Sequence, residues 1–471
     1  MDQPATPVQP ATLGALRASG YRPRSVKAEL RANLITALAT DEPLFAGIVG
    51  YEASVIPAIE NAVLAGQDFV LLGERGQAKT RLARSLVALL DEAVPVVAGS
   101  ELNEAPLAPI LEATREQIAT HGDDTPIEWL PRDRRYGEKL ATPDITIADL
   151  IGEVDPIKVA EGRYLSDAST IAFGLIPRTN RGIFTLNELP DLAERIQVGL
   201  LNVLEERDVQ VRGHNLRLPL DLFFVASANP EDYTSRGRII TPLKDRMGSQ
   251  IRTHYPRTIE HELRIMAQER ARFDDSDVVM DEPDFMLEIV AELSHLARRA
   301  SEVSQRSGVS VRVSIANLET LLANATRRAV RLGETSAAPR MSDLGALVPS
   351  TIGKLELESL SDEIPEERVV DRLLARAIHD VFGRRVAIDT LAEVVEAFES
   401  GLVIRTGESV PSRDYVRWMR ETPGMPEAVG RLGVGESPAA VASGVEFLLE
   451  GLHLHRRLNK DRASTGGLYR V

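Results

Sequence analysis

The feature that most constrains what this 471-residue chain can fold into is the octapeptide Gly73-Glu74-Arg75-Gly76-Gln77-Ala78-Lys79-Thr80. It follows an apolar run, residues 69–72, read as a buried strand, and it opens a helical run over 81–90. In that order, N–H groups of the loop and of the helix start surround phosphates, Lys79 reaches the β- and γ-phosphate oxygens, and the Thr80 hydroxyl ligates Mg²⁺. Residues 73–80 are therefore the candidate cofactor-binding residues, with ATP and Mg²⁺ as the expected cofactors. Ala78 is the one departure from G-x-x-x-x-G-K-[ST]. Its Cβ narrows the allowed backbone without removing a donor, so the loop tolerates it if φ there is negative.

Two further strand ends complete a phosphoryl-transfer site, because parallel sheets carry their sites at the carboxyl ends of strands. The run 182–188 ends in Asn187-Glu188. Glu188 is placed as the catalytic carboxylate that polarises the attacking water. Asn187 stands at the metal position, where an aspartate would support Mg²⁺. The amide keeps an oxygen acceptor but loses the charge, which weakens metal binding or slows turnover. The run 222–228 ends in Asn229-Pro230. The Asn229 amide can donate to a γ-phosphate oxygen and accept from the attacking water.

Between about 43 and 258, short apolar runs alternate with helical periodicity. The pattern predicts an α/β domain with a mainly parallel sheet. Residues 91–180 are too long for a simple connection and must hold an inserted substructure. From 259 to 340 the pattern predicts a helical lid, with helices over 262–272, 285–301 and 314–332. Residues 341–471 read as a helical C-terminal extension, with helices over 366–382 and 389–399, a Gly/Pro-rich interval over 423–438 and a frayed end over 459–471. Residues 1–42 read as an arm and a short helix. The arm, 1 to about 23, is dense in proline and glycine and is expected to be mobile and outside the fold.

Charge and composition narrow the chemistry. The chain has 55 basic and 70 acidic side chains, a net charge of −15, which argues against bulk electrostatic binding to nucleic acid. It has no cysteine, which excludes disulfides, thiolate metal sites and thiol nucleophiles. No apolar window approaches the ~18 residues a membrane span needs, and no leader segment is apparent. A cytoplasmic protein without membrane insertion is the expectation.

These motifs resemble the AAA+ ATPases, and within them the branch of the magnesium chelatase I subunit and the MoxR-type ATPases. Phe45-Ala46-Gly47-Ile48-Val49-Gly50-Tyr51-Glu52 resembles the opening segment of the chelatase subunit. Asp149-Leu150-Ile151-Gly152-Glu153-Val154-Asp155-Pro156 with Glu161-Gly162-Arg163 resembles its insert, and 174–182 its lead into the second strand. MoxR-type loops often carry Ala before the lysine, as Ala78-Lys79 does. The resemblance covers about residues 45–340. It implies Mg²⁺-dependent ATP hydrolysis in a ring, usually a hexamer, with ATP between neighbours. By the same resemblance Arg246 matches the arginine that reaches the next subunit's γ-phosphate, with Arg236 and Arg238 as rivals, and Arg312 matches the lid arginine that senses nucleotide. The segment 206–218, turning at Gly213-His214-Asn215, resembles a hairpin that projects toward partners or the pore. A partner with a von Willebrand-type domain is implied as well. Asn187 departs from the family's aspartate, and residues after about 341 match nothing in it.

Other signals carry less. His453 and His455, two apart on a helix, point to different faces and do not form a metal pair. The acidic cluster 361–367 reads as a solvated turn and helix start, and Arg132-Asp133-Arg134-Arg135-Tyr136 as a mixed-charge loop. Three functions remain in view: an ATP-hydrolysing motor that remodels a partner, by metal insertion or MoxR-like maturation; a slow or non-hydrolysing nucleotide-dependent scaffold or switch, motivated by Asn187; and a sigma-54-type transcription activator. The third is disfavoured because the loop Gly-Ala-Phe-Thr-Gly-Ala is missing and no terminal helix-turn-helix is apparent.

Overall fold

The structure is a computed structural model that describes residues 9–471 apart from 41–42, 156–169, 206–207, 211–216, 231–238, 273–277, 305–307, 357–364 and 464–465. It divides into two units, Met1–His254 and Tyr255–Val471.

The first unit is built on five strands: β1 (Phe69–Leu72), β2 (Tyr136–Leu140), β3 (Gly182–Asn187), β4 (Leu222–Ala228) and β5 (Ser249–Arg252). They lie in the order β5-β1-β4-β3-β2, and every pairing is parallel. Residues alternate between the two faces of the sheet, and both faces are covered. Phe69, Leu71, Phe223 and Val225 pack under α1 (Val26–Thr40), α2 (Val55–Leu64) and α3 (Lys79–Ser85). Val70, Leu72, Phe184, Leu186, Phe224 and Ala226 pack on the other side against Leu150, Phe173 and Ile196. The fold class is the one expected, an α/β domain with a parallel sheet followed by a helical region.

The inserted stretch supplies β2, the edge strand, which sequence reasoning missed. None of its five residues is fully buried, so it carries no apolar signal. Its approach contains a buried ion pair. Arg135, 1% exposed, donates from both terminal nitrogens to Glu29 of α1 at 2.7 Å, and from Nε to the Arg181 carbonyl. Arg135 is thus a structural residue. Glu29→Ala leaves that guanidinium uncompensated, and we expect a loss of about 3–5 kcal/mol in urea unfolding of the chain.

The amino-terminal arm corrects the expectation that it lies outside the fold. A short helix, Leu13–Ala18, buries Leu13 and Leu16 completely. The antiparallel pair Ala93–Val97 and Ile127–Pro131 leaves backbone groups beside it: Leu13 N–H donates to the Thr125 carbonyl and Ile127 N–H to the Ala11 carbonyl. Trp129 Nε1 donates to the Pro10 carbonyl at 2.9 Å. Unpaired backbone groups and two leucines outweigh the density of prolines.

The second unit is helical. Helices α4 (Ile259–Glu269), α5 (Asp284–Ala297), α6 (Val311–Leu332), α7 (Glu366–Arg385), α8 (Ala392–Glu399), α9 (Ser412–Glu421) and α10 (Pro438–Leu454) share one hydrophobic cluster running from Met266 to Tyr469. Every residue from Ala439 to Leu452 is buried, which makes α10 the central helix. The Gly/Pro-rich interval contains a helix, Met425–Arg431. The carboxyl end is not frayed: Asn459–Ala463 and Gly466–Arg470 form an antiparallel sheet with Ile404–Gly407. Tyr469 anchors it, 1% exposed and hydrogen-bonded through its hydroxyl to Glu450. The weak signal there is a five-residue alternation too short to stand out from coil. Among the described residues no helix is long and apolar enough to cross a membrane.

Candidate nucleotide-binding site

The loop between β1 and α3 is held by its own side chains and by β5. Gln77 Oε1 accepts from the Glu74 N–H at 3.2 Å and from the Thr253 hydroxyl at 2.6 Å, tying the loop to the end of β5. Gly73 sits where those two side chains meet: a Cβ there would lie 1.7 Å from Thr253 Oγ1 and 2.2 Å from Gln77 Oε1. Only glycine fits. Tyr51, from the segment before α2, places its hydroxyl 3.0 Å from the Gln77 carbonyl and 2.7 Å from the His254 carbonyl. Burial pushes this phenol up to about 12, so it remains a donor between the two. A cavity of about 330 Å³ adjoins the loop, with Gly73, Glu74, Gln77, Pro230 and Thr253 among its lining residues.

Ala78 corrects the expectation of a negative φ. Its φ is +56° and ψ is 19°, beside Gly76 at φ 76°. A left-handed alanine costs roughly 1–2 kcal/mol, and the bonds of the loop around it hold it there.

Lys79 follows and is 7% exposed. Its ammonium donates to the carbonyls of Gly73 and Glu74, and to Asn229 Oδ1 at 2.8 Å. Asn229 in turn donates from Nδ2 to Glu188 Oε2 at 2.8 Å. Glu188 begins a turn in the left-handed conformation, φ 53°, and its N–H donates to Ser227 Oγ at 3.2 Å. Three residues chosen from sequence, Lys79, Asn229 and Glu188, thus form one chain across the ends of β1, β4 and β3. A cation beside loop carbonyls, an amide able to donate and accept, and a partly exposed carboxylate suit a triphosphate and a hydrolytic water.

Asn187 joins the site from the side. It is 7% exposed, accepts from Ser227 Oγ at 3.2 Å, and donates from Nδ2 to Glu138 Oε1 at 2.7 Å. Glu138, in the middle of β2, also accepts from Tyr136 at 3.1 Å and from Arg84 Nε at 2.7 Å. Glu138 and Ser227 are site residues the sequence reading missed. A lone serine in the buried run 222–228 is a usable signal for Ser227, whereas nothing in the polar stretch around Glu138 singles it out.

Thr80 is the second residue of α3 and half-buried; Arg75 is exposed. Among the described residues no group of three or more His, Asp or Glu could hold a metal unaided. Mg²⁺ fits here only as such sites usually hold it, by substrate phosphates and one or two protein oxygens. Arg246 is elsewhere in its contacts: Nε donates to Glu205 at 2.9 Å and Nη1 to the Pro242 carbonyl at 2.8 Å. Arg312 lies in the second unit, exposed in the first turn of α6, whose start is capped by Ser310. Arg236, Arg238, Glu161-Gly162-Arg163 and the turn 213–215 lie outside the described residues. His453 and His455 each bond a backbone carbonyl, at Leu458 and Gly451.

The sigma-54 interaction domain family matches residues 159–247, well under half of the chain. No curated protein matches in sequence. Among solved structures, NtrX from Brucella abortus shares 14% identity over 61% of this chain and 54% of its own, TM-score 0.34. The chain thus spans about half of that protein. In its complex with ADP the same protein gives 16% identity over 74% and 67%, TM-score 0.40. A complex between subunits BchI and BchD of magnesium chelatase gives 21% identity over 70% and 98%, TM-score 0.35. None of these likenesses reaches a TM-score of 0.5, and none bears on function. The match over residues 159–247 and the five-stranded parallel sheet are both consistent with an AAA+ fold.

Proposed function

We propose that the chain is a cytoplasmic, ATP-hydrolysing AAA+ motor of the magnesium chelatase I and MoxR type, working as a ring, usually of six subunits, on a partner with a von Willebrand-type domain. The observation that carries this reading is the chain from Lys79 through Asn229 to Glu188, set behind a phosphate loop. Residues 43–258 would bind the nucleotide, 259–340 act as the lid and 341–471 as the extension.

In this reading Lys79 and the loop N–H groups hold the phosphates, and Thr80 and Asn187 stand on the magnesium side of the site. The ion, when bound, neutralises charge on the transferring phosphoryl group. Glu188 takes the proton of the attacking water, Asn229 fixes the carboxylate, and Arg246 of a neighbouring subunit meets the γ-phosphate. The acidic composition suits protein partners better than nucleic acid. A slower switch remains the second reading, favoured by the missing charge at Asn187. The sigma-54 match over 159–247 carries a third, against which stands the missing Gly-Ala-Phe-Thr-Gly-Ala loop.

Mixing subunits tests the ring. Arg246→Ala and Lys79→Ala should each lose about 10³-fold or more in phosphate release, and an equal mixture should recover part of it, because one mutant supplies the intact loop and the other the intact arginine. If neither single variant loses activity, the shared site is wrong.

A further inference from the structure

Asn187 looks at first like a plain loss, a neutral side chain where a metal site wants a carboxylate. Its surroundings say otherwise. The amide is buried, and its two ends are distinguished by their partners: Nδ2 faces Glu138 Oε1 at 2.7 Å and Oδ1 faces Ser227 Oγ at 3.2 Å. An ionised carboxylate only accepts, so the group opposite Glu138 must be a donor. Aspartate at 187 would set two acceptor-only carboxylates against each other across neighbouring strands, where like charges cannot both persist. Asparagine here is therefore the complement of Glu138.

The negative charge absent from β3 is present one strand away. Glu138 is paired in register with Thr185, two residues before Asn187, and its carboxylate is 20% exposed. Besides Asn187 and Tyr136, it accepts from Arg84 Nε at 2.7 Å and Nη2 at 3.2 Å. Arg84 is on α3 one turn after Thr80, hence on the same helical face as the hydroxyl expected at the metal. Arg84 itself is 63% exposed, so its pair with Glu138 is weak and easily exchanged for another cation.

Resting on the nucleotide-site reading above, we propose that Glu138, not residue 187, supplies the protein carboxylate of the magnesium site, and that Asn187 is the positioning residue that aims it. The line from Glu138 through Asn187 and Ser227 to the Glu188 N–H spans β2, β3 and β4 and couples the metal side of the site to the carboxylate that handles water. On this view the chain has exchanged an Asp on β3 for a Glu–Asn pair on β2 and β3 and kept the site's net charge.

The test is a magnesium titration of the binding of a fluorescent, non-hydrolysable ATP analogue to the full chain, beside the same binding in EDTA. Glu138→Gln keeps size and an acceptor for Asn187, and removes the charge together with the second acceptor oxygen, the one that Arg84 Nε and the Tyr136 hydroxyl share. It should leave binding in EDTA unchanged and raise the half-saturating magnesium concentration about tenfold or more, as losses around a metal commonly do. The double variant Glu138→Gln with Asn187→Asp restores one charge and one donor, and should return the magnesium dependence to near that of the wild type. A Glu138→Gln titration that superimposes on the wild type overturns the proposal. So does a variant that loses binding equally in EDTA and magnesium, which marks Glu138 as merely structural. If Glu138→Gln does not fold, a double variant that folds without regaining the wild-type magnesium dependence overturns it. Absence of analogue binding by the wild type in both conditions defeats the nucleotide site itself, and this proposal with it.

Discussion

Lys79→Ala is expected to lower the affinity for ATP by about 10- to 100-fold, the equivalent of one or two charge-assisted hydrogen bonds, and to abolish measurable hydrolysis. The buried side chain is held among the Gly73 and Glu74 carbonyls and Asn229 Oδ1. Those acceptors are neutral dipoles that a phosphate oxygen can outcompete for the ammonium. Alanine leaves them to water, so the fold should survive and the loss should be specific to nucleotide. Calorimetric titration and phosphate release measure the two parts separately. Wild-type affinity in Lys79→Ala would mean that the loop does not hold phosphates.

Glu188→Gln should spare binding and remove turnover. Glutamine still accepts from Asn229 Nδ2 and so keeps the 2.8 Å contact that orients it. It cannot take a proton, and turnover should fall by about 10²–10⁴-fold, the usual worth of a positioned general base, while ATP affinity stays near the wild-type value. The product of this difference is a trapped ATP-bound state, visible as ATP retained after gel filtration. Hydrolysis at the wild-type rate in this variant would remove Glu188 from the chemistry, whereas no turnover by the wild type beside intact ATP binding would favour the switch reading.

How much of this was legible beforehand depended on whether a residue's role was written into local pattern or into pairing between distant segments. β1, β3 and β4 are central strands buried on both faces, and continuous apolar runs announce them. β2 is an edge strand of Tyr, Gly, Glu, Lys and Leu, and only its pairing with β3 makes it a strand. Lys79, Glu188 and Asn229 could be chosen because each ends or follows such a run. Glu138 could not, because its significance comes from Asn187, 49 residues later in the chain. The arm and the carboxyl-terminal sheet were hidden for the same reason: Trp129, Thr125 and Glu450 give those segments their partners. Ala78 was misjudged because local propensity favours a negative φ for alanine, and the tie from Gln77 to Thr253 overrides it.

The central claim is that the pocket around Lys79 binds a nucleoside triphosphate, and calorimetry of the full chain with a non-hydrolysable ATP analogue at millimolar magnesium tests it most directly. Saturable binding near one analogue per chain, lost in Lys79→Ala, is the result predicted here. No heat of binding from folded wild-type chain, or equal binding by Lys79→Ala, would contradict it.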